Sequence, residues 1–436
     1  MGKALLLTVG TGNLEDVEGS LLRPLRKSIE SGEWARIVLL PSSRTLGWSE
    51  RLAEEMGGGS LEIRPLPEAD LENDADACFR HFEAEIERLR RDGFAQQDIV
   101  VDFTRGTKAM SAALVLAAVA HDLPRLRYIT GKRDSRGMVT GGTEELRETS
   151  PAHALAVRRL EAARSLVGGY SFGAALAILP DPDSPFSALQ PALLRHDLAA
   201  LRRLVRFLAA WDSLNYREAR EIGCPDPGEL PAAWQSLCPN RQTVAWVRRL
   251  AARPSAEDHG AMAAWLRPLA LDLLANAQRR RQLRHFEDAL VRSYRVLELI
   301  GQARLFDRGI DSERVPPDHE AVVRTRQRLR KSGSADFGQG REGKLTAGRE
   351  TAARLLKELG DPLARELLSF ANRGGTLKTR NRNLSILNHG FEARAPSDAA
   401  EWDELFDGLW TLLEKDWPGE AAAFAAARAQ ARFPSG

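Results

Sequence analysis

The front of the chain alternates short apolar runs with longer stretches of helical spacing. Lys3 to Val9, Arg36 to Leu40, Leu61 to Leu66, Asp98 to Phe103 and Leu126 to Thr130 have strand length. Val17 to Ser31, Thr45 to Met56, Asp74 to Arg91 and Gly106 to His121 repeat apolar positions at helical period. Continuously apolar strands separated by helices predict a parallel sheet covered on both faces, an α/β, Rossmann-like, doubly wound fold over residues 1–150. The helix from Gly106 is apolar around its whole circumference, which predicts burial at the centre of that domain.

From about Pro151 strand signals vanish and Ala, Leu and Arg dominate. The stretch Pro180-Asp181-Pro182-Asp183-Ser184-Pro185 reads as a loop. Trp211, Trp234, Trp246 and Trp265 recur through the helical segments that follow; core packing is the plainer reading, base stacking the alternative. A second helical stretch includes Arg284 to Phe306, Leu345 to Leu359, Leu363 to Asn372, Thr376 to His389 and Glu401 to Leu413. Ser332 to Gly343 is glycine-rich and predicts a mobile loop. The chain thus divides into an α/β domain over 1–150, a helical connecting region over 151–271 and a helical domain over 272–436.

Charge sharpens this only locally. The formal net charge is +2, so any nucleic-acid site must be a patch, not a property of the whole molecule. Basic residues crowd at Arg279, Arg280, Arg281 and Arg284, at Arg324, Arg326, Arg328, Arg330 and Lys331, and at Arg373, Lys378, Arg380 and Arg382. Solvated helix faces and a phosphate-binding surface both account for them. Cys78, Cys224 and Cys238 stand far apart and form no CxxC pair, so a zinc site or disulfide framework is not expected, and a reducing cytoplasm suits the count. No metal site is expected. No run reaches the length of a membrane span.

Two loops of the α/β domain follow strands: Gly10-Thr11-Gly12-Asn13, and Thr104-Arg105-Gly106-Thr107-Lys108, which opens a helix. In open parallel sheets ligands bind beyond the carboxyl ends of the strands. Glycines admit backbone amides to an anion, and a helix N-terminus adds positive potential. A dinucleotide fingerprint fits poorly, because Glu15 stands where its third glycine belongs and Leu39-Leu40-Pro41-Ser42 offers no acid for a ribose. A P-loop is excluded, since no GxxxxGK[ST] exists. The plainer reading is that both loops are tight strand-to-helix turns.

Near the end stands Arg382-Asn383-Leu384-Ser385-Ile386-Leu387-Asn388-His389-Gly390. On one helix His389 returns to within roughly 20° of the face of Arg382, about 10 Å along the axis. Gly390 is the expected helix stop, and the macrodipole favours imidazolium in the last turn. Such a histidine can act as general acid or base, and an arginine can stabilise charge on a phosphate in flight. A surface arginine and a capping histidine would give the same spacing.

Arg-Asn, a short spacer and His resembles the catalytic motif of HEPN ribonucleases, here Arg382, Asn383 and His389. GTGN after the first strand and TRGTKAMS after the fourth resemble the loops of CARF sensor domains. Together the chain resembles the CARF–HEPN ancillary ribonucleases of type III CRISPR systems, sensor first and nuclease last. The resemblance implies a cytoplasmic homodimer with no cofactor, acting in antiviral defence. Its activator would be a cyclic oligoadenylate, a ring of four adenylates being favoured and six the alternative, held by Gly10, Thr11, Gly12, Asn13, Thr104, Arg105, Gly106, Thr107 and Lys108. The reaction it implies is metal-independent cutting of single-stranded RNA through attack of a ribose 2′-hydroxyl, leaving a 2′,3′-cyclic phosphate. The competing readings are a non-enzymatic regulator whose helical half binds nucleic acid or protein, and a small-molecule enzyme on a Rossmann-like fold.

Overall fold

A computed structural model of the chain describes residues 2–11, 15–57, 60–132, 142–179, 192–372 and 399–434. The chain forms two compact units, one of Met1–Glu161 with Leu179–Leu198 and one of Ala162–Ile178 with Ala199–Gly436.

The first unit is built on strands β1 (Lys3–Val9), β2 (Trp34–Pro41), β3 (Leu61–Ile63), β4 (Ile99–Asp102), β5 (Arg125–Thr130) and β6 (Glu145–Thr149). Their order is β3-β2-β1-β4-β5-β6; the first five run parallel and β6 antiparallel. Helices α1 (Arg23–Glu30), α2 (Leu46–Glu55), α3 (Ala75–Arg91) and α4 (Lys108–Ala120) connect them. The two-residue period of a strand sends alternate side chains to opposite faces. Ala4, Leu6, Val38, Ile99 and Val101 join Phe82, Ile86 and Leu114 in one core. Leu5, Leu7, Ile37, Leu39 and Val100 join Leu21, Leu25 and Leu52 in the other. Two cores, one on each face, are why these strands carry no polar alternation.

The structure departs from the sequence pattern at two places here. β6, Glu-Leu-Arg-Glu-Thr, is an edge strand whose side chains are mostly exposed, so it has no apolar run to announce it. Helix α4 covers one face of the sheet and is not enclosed by protein on all sides. Ala112 and Ala120 are exposed, and Leu116 between them is 57% exposed.

The second unit is helical. It contains the helices α7 (Ala192–Asp212, from Ala199 on), α8 (Tyr216–Ile222), α9 (Arg241–Leu250), α10 (His259–Gln282), α11 (Phe286–Asp307), α12 (Glu320–Lys331), α13 (Arg349–Glu358), α14 (Ala364–Asn372), α15 (Ala399–Asp416) and α16 (Ala421–Gln430); α5 (Ala152–Gly168) and α6 (Phe172–Ile178) precede them. Trp211, Trp234 and Trp246 are buried and Trp265 is half-buried, as core packing requires. Three aromatic donors converge on the fully buried Asp272 of α10: Trp211 Nε1 at 3.1 Å, Trp246 Nε1 at 3.3 Å and Tyr216 Oη at 2.7 Å. Such a carboxylate is tolerable only because its lone pairs are filled. The glycine-rich Ser332–Gly343 stretch holds a strand, β7 (Gly338–Gln339), paired antiparallel with β8 (Leu345–Thr346). The helix expected from Leu345 therefore starts later, at Arg349 behind Gly348. Among the described residues no helix is long and apolar enough to cross a membrane.

Candidate functional sites

In the first unit the strand order reverses between β1 and β4, which opens a crevice at their carboxyl ends. The two candidate loops meet there. Gly10 N donates to Arg105 O at 3.0 Å. A Cβ on Gly10 would lie 2.6 Å from both Cα and C of Gly106 and 2.7 Å from Thr107 N, so only glycine lets the two backbones touch. Thr107 caps α4: its Oγ1 accepts from Met110 N at 3.1 Å and donates to the carbonyl of Glu72. Ser111 Oγ donates to Phe103 O at 3.1 Å. The N-terminus of α4 is thereby held at the crevice, and Lys108, its first residue, is exposed. Gly12 and Asn13 lie outside the described residues.

Beneath these loops lies a polar node the sequence did not reveal. Asp102, the last residue of β4, is buried and accepts from Thr104 N at 2.9 Å, from Thr104 Oγ1 and from Ser28 Oγ. Thr104 Oγ1 in turn accepts from Ile129 N at 2.9 Å. Arg127 Nη2 donates to Ser28 O and Ser28 Oγ, both at 2.6 Å, and its Nε lies 3.4 Å from Asp102 Oδ2. The guanidinium stacks 4.7 Å from the ring centre of Trp34. Burial pulls the Arg127 pKa below the usual arginine range, and Asp102 opposes that pull. The node ties α1, β4 and β5 together and so fixes the Thr104–Thr107 loop from below.

Two polar atoms at this site are left over. Thr8 Oγ1, 3.0 Å from where a Gly106 Cβ would sit, and Arg105 Nε are both buried with no hydrogen bond. Burial lowers the Arg105 pKa, while Asp102 and Glu144 raise it. Unfilled buried donors cost about 1–3 kcal/mol each, so these two atoms leave unused hydrogen-bonding capacity at the crevice.

Arg382, Asn383 and His389 lie outside the described residues. The helices that precede and follow them in sequence, α14 and α15, belong to the helical unit, and α15 packs on α10 and α11. Arg267 of α10 and Arg304 of α11 both pair with the buried Asp416 of α15, at 3.2 and 3.0 Å. A cavity of about 470 Å³ is lined by Gln278, Arg281, Gln282, Phe286, Ala399 and Trp402. The basic clusters are largely committed to carboxylates: Arg279 and Arg280 to Asp212, Arg281 to Asp403, Arg324 and Arg328 to Glu358, Arg326 to Asp336. Arg373, Lys378 and Arg380 lie outside the described residues. No cluster of three or more metal-ligating side chains occurs among the described residues.

Residues 260–415 match the family model of the Csm6 HEPN domain. That span opens with α10 and closes in the last turn of α15. No curated protein matches the chain. Among solved structures, Enterococcus italicus Csm6 bound to cyclic hexa-2′-fluoro-hexa-dAMP is similar in fold, with 12% identity, a TM-score of 0.59, and 99% of this chain and 98% of that one covered.

Proposed function

We propose that this chain is a CARF–HEPN ancillary ribonuclease, switched on by a cyclic oligoadenylate at the β1–β4 crevice and then cutting single-stranded RNA in type III CRISPR antiviral defence; the family match of residues 260–415 and the similarity of fold support this reading. The observation that carries the sensor half is the cradle itself: two loops in backbone contact at Gly10 and Gly106, a helix N-terminus, and buried donors left unfilled. Gly10, Thr11, Thr104 and the amides of Gly106 and Thr107 line the ligand, with Gly12 and Asn13 continuing the first loop. Arg105 and the exposed Lys108 face its phosphates.

In the helical unit, the 2′-hydroxyl attacks the neighbouring phosphate. His389 moves the proton, Arg382 stabilises the charge that develops, and Asn383 completes the set. The reaction needs no metal and leaves 2′,3′-cyclic phosphate and 5′-hydroxyl ends. Around one cavity the partly exposed ring of Phe286, backed by the buried Trp402, and the amides of Gln278 and Gln282 are of the kind that contact an unstacked base.

One experiment tests the whole reading: cleavage of a fluorogenic RNA in EDTA, with rings of four and of six adenylates as separate arms. The neighbour's ligand is a six-membered ring, so both sizes are needed. Cutting should depend on one ring, proceed without divalent ions, and require about tenfold more ligand in Lys108→Ala, as expected for one lost charged hydrogen bond. RNA bound but never cut under any arm would favour a non-enzymatic regulator.

The active form is a homodimer. Ala112, Leu116 and Ala120 recur every fourth residue on α4 and form an exposed apolar stripe starting one turn beyond Lys108. A two-fold pairing on this stripe would set two crevices side by side. Leu116→Glu should shift the protein to monomer in light scattering and remove ligand-stimulated cutting. An unchanged dimer mass would exclude this face.

A further inference from the structure

Two cysteines that are far apart in the sequence meet in the helical unit. Gly223, at φ +70°, ends α8 and turns the chain into Cys224. Cys238 follows the short 3₁₀ helix Ala232–Leu237 and leads into α9. Their sulfurs lie 3.8 Å apart, and both residues are half-buried. Cys238 Sγ also lies 3.4 Å from Pro225 O.

We propose that Cys224 and Cys238 are a redox-active pair that a hydroperoxide converts to an intrachain disulfide. Closing the bond brings the sulfurs from 3.8 Å to roughly 2.0 Å, a shift between two segments that are both loop, next to a glycine. The contact with Cys224 holds the Cys238 thiol below the ordinary cysteine range, and the same contact with burial pushes Cys224 up. Cys238 is therefore the attacking sulfur.

Its thiolate attacks one peroxide oxygen, the O–O bond breaks, and an alcohol leaves with a proton from solvent. Cys238 is now a sulfenic acid, oxidised by two electrons as the peroxide is reduced by two. The sulfur of Cys224 gives up its proton and attacks the sulfenic sulfur; the S–S bond forms, the S–O bond breaks, and water leaves. Two thiols and one hydroperoxide have become a disulfide, an alcohol and a water. A thiol reductant reverses the step by exchange.

The place matters for the fold. Cys224 follows α8, which carries Tyr216; Cys238 precedes α9, which carries Trp246. Both aromatics donate to Asp272, on the helix that opens the HEPN match. The disulfide therefore ties together two of the three arms that hold that buried acid. It does not depend on the proposed ligand or reaction.

The test is made on the full chain, exposed to a small excess of tert-butyl hydroperoxide, then denatured and alkylated. Of the three cysteines, only Cys78 should remain alkylatable. Peptide mapping should show 224 linked to 238, and dithiothreitol should restore all three thiols. C224S and C238S should each form no internal link under the same treatment. Three intact thiols, over-oxidation of Cys238 without a link, or a bond through Cys78 or between chains would each overturn the proposal.

Discussion

His389→Ala should abolish RNA cutting, by about 10²–10⁴-fold or more, the range a positioned proton-transfer group contributes. Ligand affinity and thermal stability should stay unchanged, because the role proposed for His389 is at the reacting phosphate and not in the sensor. The stronger prediction concerns assembly. Read as one helix, the sequence spacing would set Arg382 and His389 about 10 Å apart, and since helical side chains lean toward the N-terminus, Arg382 would lean away from His389. One scissile phosphate is poorly served by a single copy of the motif. Two copies facing each other across a two-fold axis bring two arginines and two histidines around it. Mixed dimers of wild type with the double variant Arg382→Ala, His389→Ala should then lose most of their activity per dimer, measured by fluorogenic RNA cleavage on affinity-sorted heterodimers. Heterodimers that cut at half the wild-type rate or more would show that each protomer works alone. On the proposed dimer, ligand bound across paired crevices would have a lever on the spacing of the two motifs.

How much of this could be read from residues differs from element to element. β1, β2 and β4 were legible because each centres on an unbroken apolar run, and such runs arise where both faces of a parallel sheet are covered. The crevice loops were legible because glycine after a strand has a physical reason, and Gly10 meets the backbone of Gly106 as that reason requires. What stayed hidden is long-range. Ser28 and Asp102 are 74 residues apart, and nothing local marks Ser28 or Arg127 as the partners of a buried carboxylate. The only trace was an aspartate closing an otherwise apolar strand. Cys224 and Cys238 were hidden in the same way, since a loop brings them together. Helix α4 misled because the apolar stripe Ala112, Leu116 and Ala120 is indistinguishable in sequence from a buried one. The arginine clusters left two readings open, because counting cations could not show that Asp212, Glu358 and Asp336 had already claimed many of them. The reading of the RNA site therefore rests on the Arg382–His389 motif and on the family match of 260–415, and not on surface charge.

Gly10→Ala should silence the sensor while leaving the protein folded. The added methyl carbon would sit 2.6 Å from two backbone carbons of Gly106 and 2.7 Å from Thr107 N, and backbone cannot rotate out of the way as a side chain can. The two loops must separate, which breaks the bond from Gly10 N to Arg105 O and tilts the amides at the start of α4 away from the crevice. Forcing one extra methylene into a closely packed site costs about 1–3 kcal/mol. If that strain falls on the ligand-competent arrangement, affinity for the activating ring drops by roughly five- to two-hundredfold. Calorimetric titration of the ring, with RNA cutting at saturating ring as a second readout, separates binding from chemistry: cutting should recover at high ligand, because the nuclease motif is untouched. Gly47→Ala is the matched control, since it lies in α2 of the same unit and a Cβ there meets nothing within 4 Å. It should bind as wild type does. A Gly10→Ala protein with wild-type affinity would mean that the contact between the two loops is only a tight turn, and the activator would have to be sought elsewhere in the molecule.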